Sequence, residues 1–288
     1  MKSLDPVGAP ANDGGKPRRS DLRLRLLSAA VLIPFALVVA WWGGLPAYLL
    51  VALVSAIVFA EWANIIGRSP RLLPSTADVS IGVAFVALSA IVAGMQGLGA
   101  GLAVLIAGMA GVALISRSAW LAFGVAYAGL LGVCLAALRG GDAAGLTAVI
   151  VLLVLVWGTD SFAYFAGRTL GGPKLWPRVS PKKTWSGSLG GLVGGVLLAS
   201  VAGSLFGVRV GPVLILCLAL LSIVSQAGDL FESAIKRHFD KKDSGSIIPG
   251  HGGMMDRVDG LIFAAIGAAL IGFCHGGDQH IGQGLLSW

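Results

Sequence analysis

Long runs of apolar residues recur along this chain, and they constrain its fold more than any other feature of the sequence. A helix needs about 20 mostly apolar residues to cross a bilayer. Such runs lie at roughly 22–43, 45–66, 79–97, 99–116, 119–138, 144–168, 186–207, 211–235 and 260–276. Only 12% of the 288 residues are charged, which excludes a soluble domain of this length. We therefore predict an all-α polytopic membrane protein with about nine transmembrane helices.

The third and fourth runs leave the exact number of spans open. Both are rich in Gly and Ala, and only the residues from Gln96 to Gly99 separate them. They fit either two short helices or one hairpin, so the sequence allows about eight to ten spans.

The positions of Lys and Arg predict the orientation, because these residues accumulate in short cytoplasmic loops. With nine spans and a cytoplasmic N-terminus, 19 of the 21 Lys and Arg residues fall on the cytoplasmic side. Arg139 and Arg209 fall on the other side, together with a periplasmic C-terminus. The net charge of +7 then belongs to loops facing anionic headgroups or phosphates, and we expect no nucleic-acid partner.

Composition divides the chain into three parts. Residues 1–21 combine Pro and Gly with polar groups, which predicts a disordered cytoplasmic tail. Residues 22–140 form the N-terminal transmembrane helices, and nearly featureless apolar sequence fills them. Residues 141–288 hold longer loops and most ionisable residues, so we expect a catalytic transmembrane region whose active-site loops face the cytoplasm.

One acidic residue interrupts the apolar N-terminal half. Glu61 lies beside Trp62 towards the cytoplasmic end of the second span. A long side chain near a helix end can extend its charge to the interface, so we expect Glu61 to reach water there.

Carboxylates and cations are concentrated towards the cytoplasmic ends of the later spans. Asp160 lies inside the sixth span, where a charged group facing lipid is disfavoured, and it is therefore expected to face a polar cavity. Asp229, Glu232, Ser233, Lys236 and Arg237 follow at spacings of three and four residues, which places them on one helix face.

The next loop and helix start extend this cluster. Lys241, Lys242 and Asp243 precede a Gly-rich turn that includes Gly252 and Gly253, where backbone amides can approach phosphate closely. Asp256 and Asp259 then lie three residues apart at a helix start and can share a divalent cation. Together these features predict phosphoryl or nucleotidyl transfer.

At this point the pattern resembles a known signature. Ser233-x-x-Lys236-Arg237-x4-Lys242-Asp243, followed by His251-Gly252-Gly253-x-x-Asp256-Arg257-x-Asp259, looks like that of the phosphatidate cytidylyltransferase (CDP-diacylglycerol synthase) family. The elements Asp160 to Tyr164, Gly167-Arg168, Ser180-Pro181-Lys182-Lys183-Thr184-Trp185 and Gln226-x-Gly228-Asp229-Leu230-x-Glu232-Ser233 also resemble it. Ser186 departs from the family, in which many members have Glu at this position.

The resemblance implies a reaction, its participants and a location. The reaction is CTP plus phosphatidate giving CDP-diacylglycerol and pyrophosphate in phospholipid biosynthesis. Mg2+ is the implied cofactor, with room for a second metal ion nearby. The implied location is the bacterial cytoplasmic (inner) membrane, and the implied assembly is a homodimer.

The resemblance also implies roles for individual residues. Metal ligands are Asp229, Asp256 and Asp259. Catalytic residues are Asp160, Lys182, Lys183, Asp229, Lys236, Arg237, Lys242, Asp243, His251 and Arg257. Substrate-binding residues are Ser180, Thr184, Ser233, Gly252 and Gly253. Asp160 either ligates a metal or orients Lys182, and the Ser180–Thr184 element serves either the nucleotide or the lipid phosphate.

Other functions also fit parts of the sequence. An ion-coupled transporter would use intramembrane carboxylates, although its charges should be distributed across both membrane halves. The CDP-alcohol phosphotransferases have an Asp-Gly-x2-Ala-Arg run, which does not occur around Asp259-Gly260. A cytidylyltransferase or kinase for another lipid would share the same polar motifs.

Overall fold

Ten helices and one short hairpin make up the regular structure in the computed structural model, which describes residues 19–69, 76–245 and 252–288. The helices are α1 (Arg19–Trp42), α2 (Gly44–Ile65), α3 (Ala77–Gln96), α4 (Leu98–Ser116), α5 (Ala119–Arg139), α6 (Ala143–Leu170), α7 (Trp185–Leu205), α8 (Pro212–His238), α9 (Met255–Gly276) and α10 (Ile281–Leu286). Most of the predicted N-terminal tail, residues 1–18, lies outside the described residues.

The prediction of a polytopic helical membrane protein is confirmed. Within the described parts of the chain, the eight helices α2 to α9 are long and apolar enough to cross a membrane. The first predicted span coincides with α1, whose described apolar segment is Ile33–Trp42. The third and fourth runs form two separate helices that meet at Gly97, whose φ of 101° suits glycine.

The connection between α6 and α7 contains an element that the all-helical prediction omits. Strand β1 (Lys174–Trp176) pairs antiparallel with β2 (Ser180–Thr184). Pro181 is tolerated in β2 because both strands of a two-stranded sheet are edges. The Trp185 amide donates to the Pro173 carbonyl at 3.1 Å, which fastens the hairpin to the start of α7.

Helices α6 and α7 pack closely because glycines line their contact. A Cβ atom on Gly191 would lie 2.6 Å from the Thr159 carbonyl oxygen, and one on Gly187 would lie 2.8 Å from that of Ala163. Small residues on the seventh span thus allow the two helix backbones to approach closely. This packing holds Asp160 of α6 close to the hairpin that precedes α7.

An aromatic cluster joins the N-terminal helices to the last ones. Trp62 of α2 lies 5.1 Å from Tyr127 of α5, measured between ring centroids. Phe231 of α8 lies 5.7 Å from Tyr127 and 5.3 Å from Phe263 of α9. These rings link the end of α2 to α8 and α9 through α5.

Arg139 has a structural role at the opposite end of the bundle. Its side chain is buried and donates to the carbonyls of Ala40 at 2.6 Å and Trp41 at 3.3 Å. These carbonyls end α1, so the guanidinium satisfies acceptors that the helix itself leaves open. Arg139 therefore caps a neighbouring helix. This structural role explains why a basic residue occurs on the side predicted to be periplasmic.

Candidate active site

The crossing of α8 and α9 brings two aspartates towards each other. Gly228 packs against α9 so closely that an added Cβ would lie 2.7 Å from the Asp259 carbonyl oxygen. Gly260 packs in turn against Ser225, where an added Cβ would lie 2.7 Å from the hydroxyl oxygen. Because Asp229 follows one glycine and Asp259 precedes the other, close backbone contact places both carboxylates at the crossing.

Asp160 joins this group from α6. It lies ten residues before the end of that helix, about 15 Å along the axis, and it is exposed at the surface of the chain. Its electrostatic neighbours are Asp229 and Lys183, and Asp259 is also within electrostatic range. The structure therefore brings together carboxylates of α6, α8 and α9.

Lys183 connects the hairpin to α8 by an ion pair with Asp229. The two side chains are 27% and 28% exposed, so both remain partly accessible at the surface of the protein. Lys183 lies in β2, and the hairpin thus carries a cation to the carboxylates of the helices. This contact supports the prediction that the Ser180–Thr184 element and Asp229 act in one site.

Lys236 forms a second ion-paired group. Its ammonium donates to Glu232 at 3.1 Å and to Asp256 at 2.5 Å, which links α8 to the start of α9. The Glu232 and Lys236 side chains are 1% and 12% exposed. A cation in such surroundings stabilises both carboxylates, because each would otherwise be a buried and unpaired charge.

Both carboxylate oxygens of Asp256 accept hydrogen bonds. Oδ1 accepts from Lys236, and Oδ2 accepts from the Ser244 amide at 3.2 Å, the Ser244 hydroxyl at 2.9 Å and the Gly253 amide at 3.2 Å. The geometry therefore gives Asp256 a role in joining the loop after α8 to the start of α9. Its predicted role as a metal ligand stays a prediction.

Glu232 and Asp259 form a close carboxyl pair. Glu232 Oε1 is buried without a hydrogen-bond partner, and the Asp259 carboxyl group lies within electrostatic range of Glu232. Two facing carboxylates need a proton or a cation between them. The unpartnered oxygen is therefore an observation that fits a bound cation.

The donors also fit Mg2+ by number. Among the described residues, no three Asp, Glu, His or Cys side chains are arranged to enclose an ion. Mg2+ rarely uses a full protein cage, and instead combines one or two carboxylates with water and substrate phosphate oxygens. One or two of the carboxylates of Asp160, Asp229, Glu232 and Asp259 would match that pattern, with water and substrate supplying the remaining ligands.

The predicted substrate-binding residues of the hairpin lie in different environments. Lys182 is exposed and Ser180 is half-buried. Thr184 is buried, and its hydroxyl caps α7 by accepting from the Gly187 amide at 3.1 Å. Ser186 donates to the Gly171 carbonyl, so the residue that departs from the family pattern fastens the two ends of the hairpin.

The remaining predicted residues surround the loop between α8 and α9. Arg237, Lys242, Asp243 and Arg257 are exposed, and Ser233 is half-buried on α8. Gly252 adopts a φ of 85°, a conformation that favours glycine, and Gly253 is buried. His251 lies outside the described residues. The proposed phosphate contacts of this loop stay predictions.

The structure corrects the expectation for Glu61. Its side chain is 0% exposed and does not reach water. The carboxylate accepts from the Met254 amide at 2.9 Å, the Met255 amide at 2.7 Å and the Ser244 hydroxyl at 3.2 Å. The buried Glu61 carboxylate is stabilised by these donors within the protein. It therefore does not need to extend to the membrane interface.

The polar groups of this region indicate the class of protein. Carboxylates and ammonium groups from three membrane helices and a hairpin meet in one region, as required to bind and align phosphate groups. Such a region is typical of an integral membrane enzyme that transfers phosphoryl or nucleotidyl groups. The chain belongs to the cytidylyltransferase family, whose model matches residues 23–275.

Relatives in several bacteria are similar to this chain. The phosphatidate cytidylyltransferase of Brucella abortus is 42% identical over 259 residues, covering 85% of this chain and 91% of that protein. The one from Rickettsia felis is 28% identical over 257 residues, covering 86% of this chain and 90% of that protein. The one from Bacillus subtilis is 46% identical over 127 residues, covering 44% of this chain and 47% of that protein.

Proposed function

We propose that the chain transfers the cytidylyl group of CTP to phosphatidate, forming CDP-diacylglycerol and pyrophosphate. The observation that carries this proposal is the meeting of Lys183, Asp229 and the carboxylates of α6 and α9 in one region of a membrane bundle. CTP and phosphatidate both bring phosphate charge, and such a region supplies cations and anchors for metal beside the bilayer. Family membership and the names of the relatives point to the same reaction.

The proposed reaction needs no covalent enzyme intermediate. A phosphate oxygen of phosphatidate attacks the α-phosphorus of CTP, and a new P–O bond forms. The bond between that phosphorus and the oxygen bridging to the β-phosphate breaks, and pyrophosphate takes the electron pair. The nucleophile is already anionic, so the enzyme acts mainly by alignment and charge compensation.

Asp229 and Asp259, with Asp160 and Glu232 beside them, are the residues that would hold Mg2+. When bound, Mg2+ supplies charge neutralisation on the phosphate oxygens of CTP. Asp256 serves this group by keeping Lys236 and the start of α9 in place, as its four hydrogen bonds indicate. Room for a second ion stays part of the proposal.

Cationic and small polar residues bind the phosphates in this proposal. Lys183 lies beside Asp229 and aligns one phosphate, with Lys182 exposed next to it. Arg237, Lys242 and Arg257 are exposed around the loop after α8, where they approach CTP from the aqueous side. Ser180, Ser233 and the Gly252 amide contribute hydrogen bonds to phosphate oxygens, whereas the Gly253 amide donates to Asp256.

The proposed membrane arrangement has nine spans, with α1 as the first. The N-terminus and the α8–α9 loop face the cytoplasm, where CTP is available, and the C-terminus is periplasmic. The bias of Lys and Arg supports this orientation. A homodimer in the bacterial inner membrane completes the proposal.

The test is a turnover assay with purified protein in detergent. We expect labelled CTP and phosphatidate to give CDP-diacylglycerol only when Mg2+ is present. Asp259→Asn should reduce turnover at least a hundredfold, because the carboxyl pair at the α8–α9 crossing is lost. Asp278→Asn is the matched control, because Asp278 accepts from the Leu98 amide at the other end of α9.

Two outcomes would overturn the proposal. Folded protein that gives no product from CTP and phosphatidate would exclude the reaction. Equal or faster turnover with another phosphorylated lipid would move the assignment to a related cytidylyltransferase. Metal-independent turnover would leave the reaction standing and remove the proposed Mg2+ site.

A further inference from the structure

Glu61 lies apart from the sequence motifs but makes direct contact with the region they form. It belongs to α2, in the half of the chain that supplies apolar helices, four residues before that helix ends. Its partners Ser244, Met254 and Met255 are 183 to 194 positions further along the chain. The carboxylate therefore joins the segments on both sides of the loop between α8 and α9.

The first contact of Glu61 is with the start of α9. Met254, the residue at the N-terminal cap position, has no side-chain hydrogen bond to this end of the helix. The first amides of a helix have no partners within it, and an anion at that end is stabilised by the helix dipole. Glu61 accepts from the Met254 and Met255 amides and thus acts as a cap supplied by another helix.

The second contact leads to Asp256. The Ser244 hydroxyl lies between two carboxylates, 3.2 Å from Glu61 Oε2 and 2.9 Å from Asp256 Oδ2. Asp256 continues the connection to Lys236, and Lys236 continues it to Glu232. The single Ser244 hydroxyl proton is shared between Glu61 and Asp256, and a continuous series of polar contacts thus runs from α2 to Glu232 of the carboxyl pair.

Two glycines make room for this carboxylate. A Cβ on Gly253 would overlap the Ser244 hydroxyl and lie 2.8 Å from Glu61 Oε2, and one on Gly245 would lie 2.7 Å from Glu61 Oε1. The local sequence is therefore compatible with a buried anion at this point. Gly253, which the sequence associates with substrate, has Glu61 on the side where a side chain would extend.

We propose that Glu61 is a positioning residue for nucleotidyl transfer, which holds Asp256, Lys236 and the start of α9 in the geometry that the reaction needs. The inference rests on the proposed function, because it assigns Glu61 to that same site. Within the described residues, the hydrogen bonds of Glu61 go to Ser244, Met254 and Met255, so it acts on the carboxylates of the α8–α9 crossing through Ser244 and Asp256. It makes one residue of the N-terminal half part of the catalytic region.

The test compares Glu61→Gln with Glu61→Asp in the phosphatidate and CTP assay, using protein whose fold is checked by thermal unfolding. Gln retains the size but directs an amide group at donors, so we expect kcat to fall at least tenfold, with KM for phosphatidate changed less than threefold. Asp keeps the charge on a shorter side chain, and we expect it to restore part of kcat. Asp142→Asn is the matched control, because Asp142 caps α6 at its distant end, where its side chain accepts from the Gly145 amide at 2.7 Å.

The results separate a positioning role from a purely structural one. Glu61→Gln that unfolds earlier but retains the wild-type kcat per folded molecule would overturn the inference, as would equal kcat losses for Asp142→Asn. If Glu61→Gln does not fold, Ser244→Ala removes the link to Asp256 while the cap stays. A kcat for Ser244→Ala within twofold of wild type would also overturn it. Failure of the proposed function is distinguished by the wild-type protein, which would then show no turnover in the same assay.

Discussion

Lys236 lies between two carboxylates that would otherwise face each other in a largely buried region. Its ammonium contacts Glu232 and Asp256 and is 12% exposed. Removing one partner from a buried ion-paired group leaves uncompensated charge, which costs about 3–5 kcal/mol. We predict that Lys236→Met lowers kcat/KM at least a hundredfold and lowers the thermal unfolding midpoint, whereas Lys236→Arg keeps part of both.

The control for this prediction is Lys241→Met. Lys241 is an exposed residue just beyond the end of α8, so the same chemical change is made without breaking a buried pair. We expect its midpoint and kcat/KM to remain near those of the wild type. A Lys236→Met enzyme that is as stable and active as Lys241→Met would contradict the assigned contact.

Single residues also show where sequence reasoning succeeds and where it stops. The clustering of Glu232 and Lys236 could be predicted because residues four apart share a helix face. The environment of Glu61 could not, because its position near the end of an apolar span suggested the interface, while its partners lie more than 180 positions away. Buried hydrogen-bond donors on a distant segment leave no local signal in the sequence.

At the scale of elements, the crossing of α8 and α9 controls the separation of their aspartates. Gly228 allows backbone contact with Asp259, and a methyl group there would lie 2.7 Å from the Asp259 carbonyl oxygen. We predict that Gly228→Ala moves the helices apart, lowers kcat at least tenfold and raises the Mg2+ concentration for half-maximal activity. Overpacking of this kind costs about 1–3 kcal/mol, which thermal unfolding would detect.

Gly111→Ala is the matched control for the crossing. Gly111 lies inside α4, and an added Cβ there would meet nothing within 4 Å. Alanine is favoured over glycine in a helix interior by about 1 kcal/mol, so stability should be unchanged or slightly increased. An unchanged Mg2+ requirement in Gly228→Ala would show that the crossing does not set the metal affinity.

The elements themselves follow unevenly from the sequence. Apolar runs predict α2 to α9 because a bilayer demands about 20 apolar residues for each helix. The β1–β2 hairpin was not anticipated, since three- and five-residue strands with Lys and Pro have almost no periodic pattern. Its importance lies in Lys183, which it places beside Asp229 of α8.

The whole molecule combines a local sequence pattern with long-range packing. The sequence motifs between Asp160 and Asp259 predict which polar residues act together, and within α8 their spacing follows helix periodicity. They did not indicate that α2 holds the start of α9, or that aromatic rings of α2, α5, α8 and α9 pack together. The division into an apolar half and a catalytic half therefore describes composition better than it describes the site.

The orientation of the whole molecule gives the last prediction. Helix α9 has 22 residues and a length of about 33 Å, which is long enough to place the segments before and after it at opposite membrane faces. Single cysteines at Lys241 and Gln279, in a chain with Cys134, Cys217 and Cys274 replaced by alanine, mark these two faces. A membrane-impermeant maleimide applied to spheroplasts should label Gln279→Cys directly and Lys241→Cys only after permeabilisation, because basic residues remain on the cytoplasmic side. The reverse pattern would place the carboxylate cluster on the periplasmic side, away from cytoplasmic CTP, and would contradict the proposed orientation.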